Sequence, residues 1–181
     1  GNMISSALSM LETEEQRDIL SEFYEENKNR FYGMAYSKLQ NRVLAEDAVQ
    51  EAFVRIMQYP NKFFEIEAHK KLPYVIIIIR NVVYQMLKKE SEHDYDELTE
   101  DVPDNSVSIE DDVIGRISSK ELMDFIKTLS EAKKQAVILK GVYGLNTHEI
   151  AAVLGITESA VRRRISDAYG RIIYYVRKGE R

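Results

Sequence analysis

Apolar residues recur at helical spacing through most of the 181-residue chain. Ile19, Leu20, Phe23, Tyr24, Phe31, Met34, Ala35 and Leu39 fall mostly at three- and four-residue intervals and predict a helix over residues 13–41. The pattern sharpens next: Ala45, Ala48, Val49, Ala52, Phe53, Ile56 and Met57 form one apolar stripe, with Glu46, Asp47, Gln50, Glu51, Arg55 and Gln58 opposite. Tyr59-Pro60-Asn61 ends that helix, because proline disfavours the helical region for the residue before it. Asn61 to His69 is read as a loop holding Lys62, Phe63 and Phe64.

Leu72-Pro73 opens the next element, which runs to about Glu90. The β-branched run Val75 to Ile79 reads as a buried strand by propensity alone. Pro73 at a first helical turn, the element's length, and the helix formers Met86, Leu87, Lys88 and Lys89 favour a buried helix instead. The apolar run is broken by Arg80 and Asn81, far short of the roughly 20 residues that a membrane span needs. The chain is therefore expected to make no stable membrane insertion and to reside in the cytoplasm. The N-terminus shows no signal-peptide pattern.

Residues 91–119 carry little periodicity and have Pro103-Asp104-Asn105-Ser106 at their centre, the composition of a linker. Helical pattern returns from Lys120, with Leu122, Phe125, Ile126 and Leu129 as one face. Ser130 is placed to cap a helix bearing Ala132, Ala136, Val137 and Leu139. Thr147 is placed to cap a short helix with Ile150, Ala151 and Leu154 inward; Gly155-Ile156-Thr157 turns the chain; a second helix follows with Val161, Ile165 and Ala168 inward. Two helices crossing over so short a turn need a small residue at the approach and one tolerant of positive φ at the turn. Ala151 and Gly155 supply them, which is the layout of a DNA-binding helix-turn-helix. On the second helix the period turns Ser159, Arg162, Arg163, Ser166 and Tyr169 outward, with Arg164 at the flank as a phosphate or intradomain partner. Arginine can grip guanine bidentately, and Ser or Thr reaches phosphate or base.

The fold expected is all-α: two helical domains, 13–90 and 120–181, joined by an acidic linker, 91–119, the second being the helix-turn-helix. Charge alters how this is read. The net of −5 and pI of about 5.4 are the wrong sign for a nucleic-acid binder taken whole. The three segments 1–90, 91–119 and 120–181 carry −1, −9 and +5, however, so the helix-turn-helix stands in a basic third. With no cysteine there is no thiolate metal site or cysteine nucleophile, and His69, His93 and His148 are dispersed. The acidic run Asp94 to Asp112 lacks the central Gly of a calcium loop. Neither a metal nor a cofactor is expected.

Residues 45–53, Ala-Glu-Asp-Ala-Val-Gln-Glu-Ala-Phe, followed by Leu72-Pro73-Tyr74-Val75 through Arg80-Asn81, resemble the second conserved region of bacterial RNA polymerase sigma factors. Leu129-Ser130-Glu131, Leu145 to Ala151, Leu154-Gly155-Ile156 and Ala160 to Ile165 resemble the fourth. Both in this order are similar to the small extracytoplasmic-function sigma factors. That resemblance implies a non-enzymatic specificity subunit whose partners are core RNA polymerase, promoter DNA and an anti-sigma factor. Mapped onto this chain, Asp47, Gln50, Glu51 and Arg55 would contact polymerase. Asn61, Lys62, Phe63, Phe64, Tyr74, Arg80, Asn81 and Lys88 would face the melted strand. Thr157, Ser159, Arg162, Arg163, Arg164 and Ser166 would face the duplex. The adjacent Phe63 and Phe64 have two readings, core or base-stacking. Tyr74 and Ile77 stand where the family usually has Trp and often a basic residue, and Ser159-Ala160 replaces a usual Gly-Thr pair. The linker would either imitate a nucleic-acid strand in the polymerase or serve as a solvated tether. The rival reading is a stand-alone helix-turn-helix regulator without polymerase binding; a hydrolase has no acidic pair beside a nucleophile or Gly-rich loop to support it.

Overall fold

A computed structural model of the chain describes residues 5–91 and 117–179, and every regular element among them is a helix. The linker reading falls mostly on residues 92–116, outside those described. The helices divide into two compact units. The first contains α1 (Ser5–Ser9), α2 (Glu14–Leu39), α3 (Arg42–Met57), α4 (Pro60–Glu65) and α5 (Ala68–Ser91). The second contains α6 (Ser119–Ile126), α7 (Glu131–Gly141), α8 (Thr147–Leu154) up to Ala151, the residues Ala152–Gly155 being grouped with the first unit, and α9 (Glu158–Gly179).

In the first unit α2, α3 and α5 pack pairwise around one core. Thr13 caps α2 by accepting from Gln16 N at 3.1 Å. Gln40 then turns the chain through the left-handed region at φ 53°, and Asn41 caps α3 by accepting from Leu44 N at 3.0 Å. The helix expected over 13–41 is thus bounded by a cap at each junction. The stripe Ala45 to Met57 is buried in full, as its spacing predicts. Phe31 and Phe53 are tilted across the α2–α3 seam with centroids 5.7 Å apart, and Tyr24 meets Phe53 edge-on at 5.6 Å.

The Val75 to Ile79 ambiguity resolves to helix. Val75, Ile78, Ile79, Val82 and Val83 are all buried, and their i, i+3, i+4, i+7, i+8 spacing lets one helical face bury residues that a strand would alternate between two. Two boundaries differ from expectation. The segment 61–69 is not simply a loop, because Pro60 occupies the first position of the short helix α4, where its fixed φ is pre-organised. Tyr59, at φ −128°, breaks α3 as expected, but the same proline starts a new turn, which carries Phe63 into the core. The next helix begins at Ala68, so Pro73 lies inside α5 and removes its interior bond to the His69 carbonyl.

In the second unit Ser118 caps α6, accepting from Glu121 N at 3.1 Å. Ser130 holds the N-cap position of α7, but its side chain makes no capping bond. The cap of α8 is Asn146, not Thr147: Asn146 Oδ1 accepts from Glu149 N at 2.8 Å and Glu149 Oε1 accepts from Asn146 N at 3.0 Å. Asn accepts well at an N-cap, and a glutamate three residues on closes the reciprocal box, while Thr147 is already in the first turn. The core includes Ala136, Leu139, Leu145, Ile150, Val161, Ile165, Ala168 and Ile172.

Candidate nucleic-acid and polymerase interfaces

The helix-turn-helix has the geometry that its residues predict. Gly155 sits at φ +64°, and Ile156 N bonds the Ala151 carbonyl at 3.1 Å, closing the end of α8. A side chain at that φ is strained, which is why glycine stands there. Thr157 then caps α9, its Oγ1 accepting from Ala160 N at 3.1 Å while its carbonyl accepts from Val161 N. Thr157 therefore has a structural duty as well as its place at the mouth of the helix.

Along α9, Val161, Ile165, Ala168 and Ile172 are buried, and Ser159, Arg162, Arg163 and Ser166 form a half-exposed stripe at i, i+3, i+4, i+7. Two expectations are corrected here. Arg164 is only 9% exposed, because three consecutive residues fan over about 200° of helix and one of them must turn toward the domain. It is turned away from the half-exposed stripe that carries Arg162 and Arg163, which disfavours its expected place against the duplex. Tyr169 points inward: it lies four residues beyond Ile165 on the same face, and Lys140 Nζ stands 5.4 Å from its ring centroid.

On the first unit, Asp47 and Glu51 are exposed on α3 and Gln50 is half-buried beside them. Arg55 is engaged within the domain, donating from Nε to Glu51 Oε1 at 3.0 Å and from Nη2 to Gln85 Oε1 at 2.9 Å. It thereby holds one carboxylate of that face in place.

The residues expected against a melted strand divide sharply. Phe63 and Tyr74 are both 0% exposed and belong to the core. Phe63 lies edge-on to Phe23 at 5.3 Å and 72°, and its full burial leaves the ring no face for a base. Phe64 is half-exposed, packs edge-on against Phe63 at 5.2 Å, and has Lys71 Nζ 5.8 Å from its centroid. Asn61 and Arg80 are exposed and Lys62 and Lys88 are half-buried, but Asn81, expected against the strand, is only 4% exposed, because the step of about 100° from Arg80 turns it to the buried face it shares with Ile78 and Val82. Tyr84, which the sequence reading does not single out, is exposed on the same helix with Lys88 Nζ 5.5 Å from its ring. Its four-residue spacing from both Arg80 and Lys88 is the signal that marks it.

Away from these faces, Tyr24 and Tyr32 join hydroxyls at 2.8 Å, and burial, reinforced by this bond, raises the Tyr32 pKa. Burial likewise raises that of Tyr143. No group of three His, Cys, Asp or Glu residues among those described is placed to hold a metal ion, and no helix among them is long and apolar enough to cross a membrane.

The chain thus pairs an all-helical domain that carries an acidic helix face with a basic helix-turn-helix domain. The chain matches the family model described as Sigma-70 region 2 over residues 23–93 and that described as Sigma-70, region 4 over residues 119–172. It belongs to the sigma-70 family, with the two-region layout of the extracytoplasmic-function group. It is 26% identical over 150 residues to the ECF RNA polymerase sigma factor BldN of Streptomyces coelicolor, an alignment covering 81% of this chain and 56% of that protein. It is 23% identical over 156 residues to the RNA polymerase sigma factor CarQ of Myxococcus xanthus, covering 86% of this chain and 88% of that one.

Proposed function

We infer that the chain is a sigma factor that binds core RNA polymerase and directs promoter-specific transcription initiation. The observation that carries this is the joint presence of both regions in order, each folded as a helical domain with its own polar face. A helix-turn-helix alone would serve any regulator; the region-2 domain beside it argues for polymerase binding. In this reading the chain catalyses nothing itself. It supplies binding free energy that places the polymerase, which carries out the chemistry.

Asp47 and Glu51, held on a rigid helix, dock core polymerase, with Gln50 at the centre of the patch and Arg55 orienting Glu51. Arg162 and Arg163 read the duplex upstream, with Ser159 and Ser166 reaching phosphate or base and Thr157 fixing the helix end. Asn61, Lys62, Phe64, Arg80 and Lys88 face the opened strand, where an aromatic stack is worth about 1–3 kcal/mol per base. The −9 segment between the domains either occupies a nucleic-acid channel of the polymerase or tethers the domains. An anti-sigma factor is the expected regulatory partner, covering one of these faces when transcription is off.

The test is run-off transcription with core polymerase over a promoter library. Transcripts from a distinct promoter subset, dependent on this chain, support the reading. Binding of the chain to duplex DNA with no core-dependent transcript would assign it instead to the stand-alone regulators.

A further inference from the structure

The duplex-facing end of α9 carries one charge of the opposite sign to its arginines. From Thr157 to Ser166 the sequence has Arg162, Arg163 and Arg164 and a single acid, Glu158, the first residue of the helix. The Glu158 side chain is 48% exposed and lies one turn, about 6 Å, before Arg162 on the same side of α9. A carboxylate in a first turn complements the helix dipole, which explains why the fold tolerates it there but not what it does in a groove. His148 Nδ1, from the first turn of α8, stands 3.3 Å from Glu158 Oε1. The carboxylate is therefore held through one oxygen by the other helix of the motif, and Oε2 lies outside that pair.

A carboxylate brought to DNA is repelled by the phosphates and by most of what the major groove displays. Guanine presents two acceptors there, thymine an acceptor and a methyl group, and adenine an acceptor beside its amino group; cytosine alone presents only a donor, its N4 amino group. We propose that Glu158 is a specificity-determining residue that accepts from the N4 amino group of one cytosine in the upstream duplex, with His148 as its positioning residue. The proposal rests on the reading of α9 as the duplex-facing helix. It adds to that helix a contact of the opposite chemistry: Arg162 and Arg163 select acceptors, whereas Glu158 selects a donor and turns acceptors away. Such a residue discriminates as much by penalising wrong bases as by rewarding the right one. A carboxylate serving only the helix dipole and the bond to His148 would instead affect every duplex alike.

The experiment uses the full chain assembled with core polymerase. Duplexes are selected from a randomised pool, and affinities are then measured by fluorescence anisotropy on duplexes that differ from the selected sequence at one base pair. Wild type, Glu158→Ala, Glu158→Gln, His148→Ala and His148→Gln are compared, with helix content followed by circular dichroism and core affinity measured alongside. The wild-type motif is expected to hold a cytosine whose replacement by guanine or thymine weakens binding about 5- to 150-fold. In Glu158→Ala that penalty is expected to fall to within about 2-fold while the penalties at other positions persist, because the wrong bases are no longer repelled. Glu158→Gln, whose amide both donates and accepts, is expected to move the preference toward adenine. His148→Ala is expected to reduce the cytosine penalty alone, and His148→Gln, which keeps a donor, to restore it. The same single-base penalties in Glu158→Ala as in wild type, or a uniform loss on every duplex with the penalties kept, overturns the proposal and leaves the sigma reading standing. An undiminished penalty in His148→Ala overturns the positioning role. Failure of wild type to select any duplex motif while binding core overturns the duplex reading of α9, and failure to bind core overturns the sigma reading, the proposal falling with either.

Discussion

Phe63→Ala removes a ring that is 0% exposed, seated edge-on to Phe23 at 5.3 Å and covered by Lys71, whose Nζ is 5.0 Å from its centroid. Truncating a buried Phe costs about 3–5 kcal/mol, the sum of lost transfer free energy and the cavity left behind. Against a domain stability of about 5–15 kcal/mol this is a large fraction. Phe64→Ala, next in sequence but half-exposed, forfeits mainly one edge-on pair, worth about 1 kcal/mol. Urea unfolding followed by far-ultraviolet circular dichroism reads the difference. For a slope of about 2 kcal/mol/M the midpoint falls by roughly 1.5–2.5 M for Phe63→Ala and by about 0.5 M for Phe64→Ala. Two units can unfold in two transitions, so hydrogen exchange resolved by peptide assigns the loss to residues 5–91. A shift under about 0.5 M for Phe63→Ala, together with loss of single-strand binding by the holoenzyme, would refute the core assignment and return Phe63 to the DNA face.

The other predictions concern the second domain and the effect of pH. Arg162→Ala with Arg163→Ala is expected to abolish transcription from upstream-element-dependent promoters and to reduce the salt slope of duplex binding by about 0.9 for each phosphate no longer neutralised, core affinity being unchanged; fluorescence anisotropy over a salt series measures it. Asn146→Ala removes the cap of α8 and strands the Glu149 side of the box, and is expected to destabilise the second unit by about 1 kcal/mol in the same urea assay. The Tyr32 pKa is raised by burial and by its bond to Tyr24, so its contribution to stability is fully present below the ordinary tyrosine value of about 10 and declines as the pH rises beyond it. Thermal melts between about pH 8 and about pH 11 are expected to show a fall for wild type that is shallower in Tyr32→Phe.

Most of the helical frame is legible in the sequence because helices of 16 to 26 residues average over many positions. The α3 stripe and the inward faces of α8 and α9 follow from spacing alone, and Gly155 marks the turn because few other residues hold a positive φ there. What spacing does not reveal is short or adjacent. The six-residue α4 offers less than two turns of pattern, and Pro60, read as a stop, is equally a first helical residue. Phe63 and Phe64 differ by about 100° of helix, and tertiary packing, with Phe23 edge-on to Phe63, decides which one is buried. The burial of Arg164 rests on the same angular step within an arginine triplet. Tyr169, which the period is read as turning outward, lies four residues beyond Ile165 and one beyond Ala168, so it shares their buried face. Tyr84 escaped because an apolar run suggests burial throughout, whereas its spacing from two cations on an acid-free stretch is the informative feature.

The claim that most needs testing is that the α3 face joins this chain to polymerase. Affinity of the full chain for core RNA polymerase, measured for wild type and for Asp47→Lys with Glu51→Lys, tests it directly. Binding with Kd below about 1 μM, weakened at least about tenfold by the charge reversal while helix content and duplex binding persist, is the expected outcome. No binding by the wild-type chain, or equal binding by both, would contradict it.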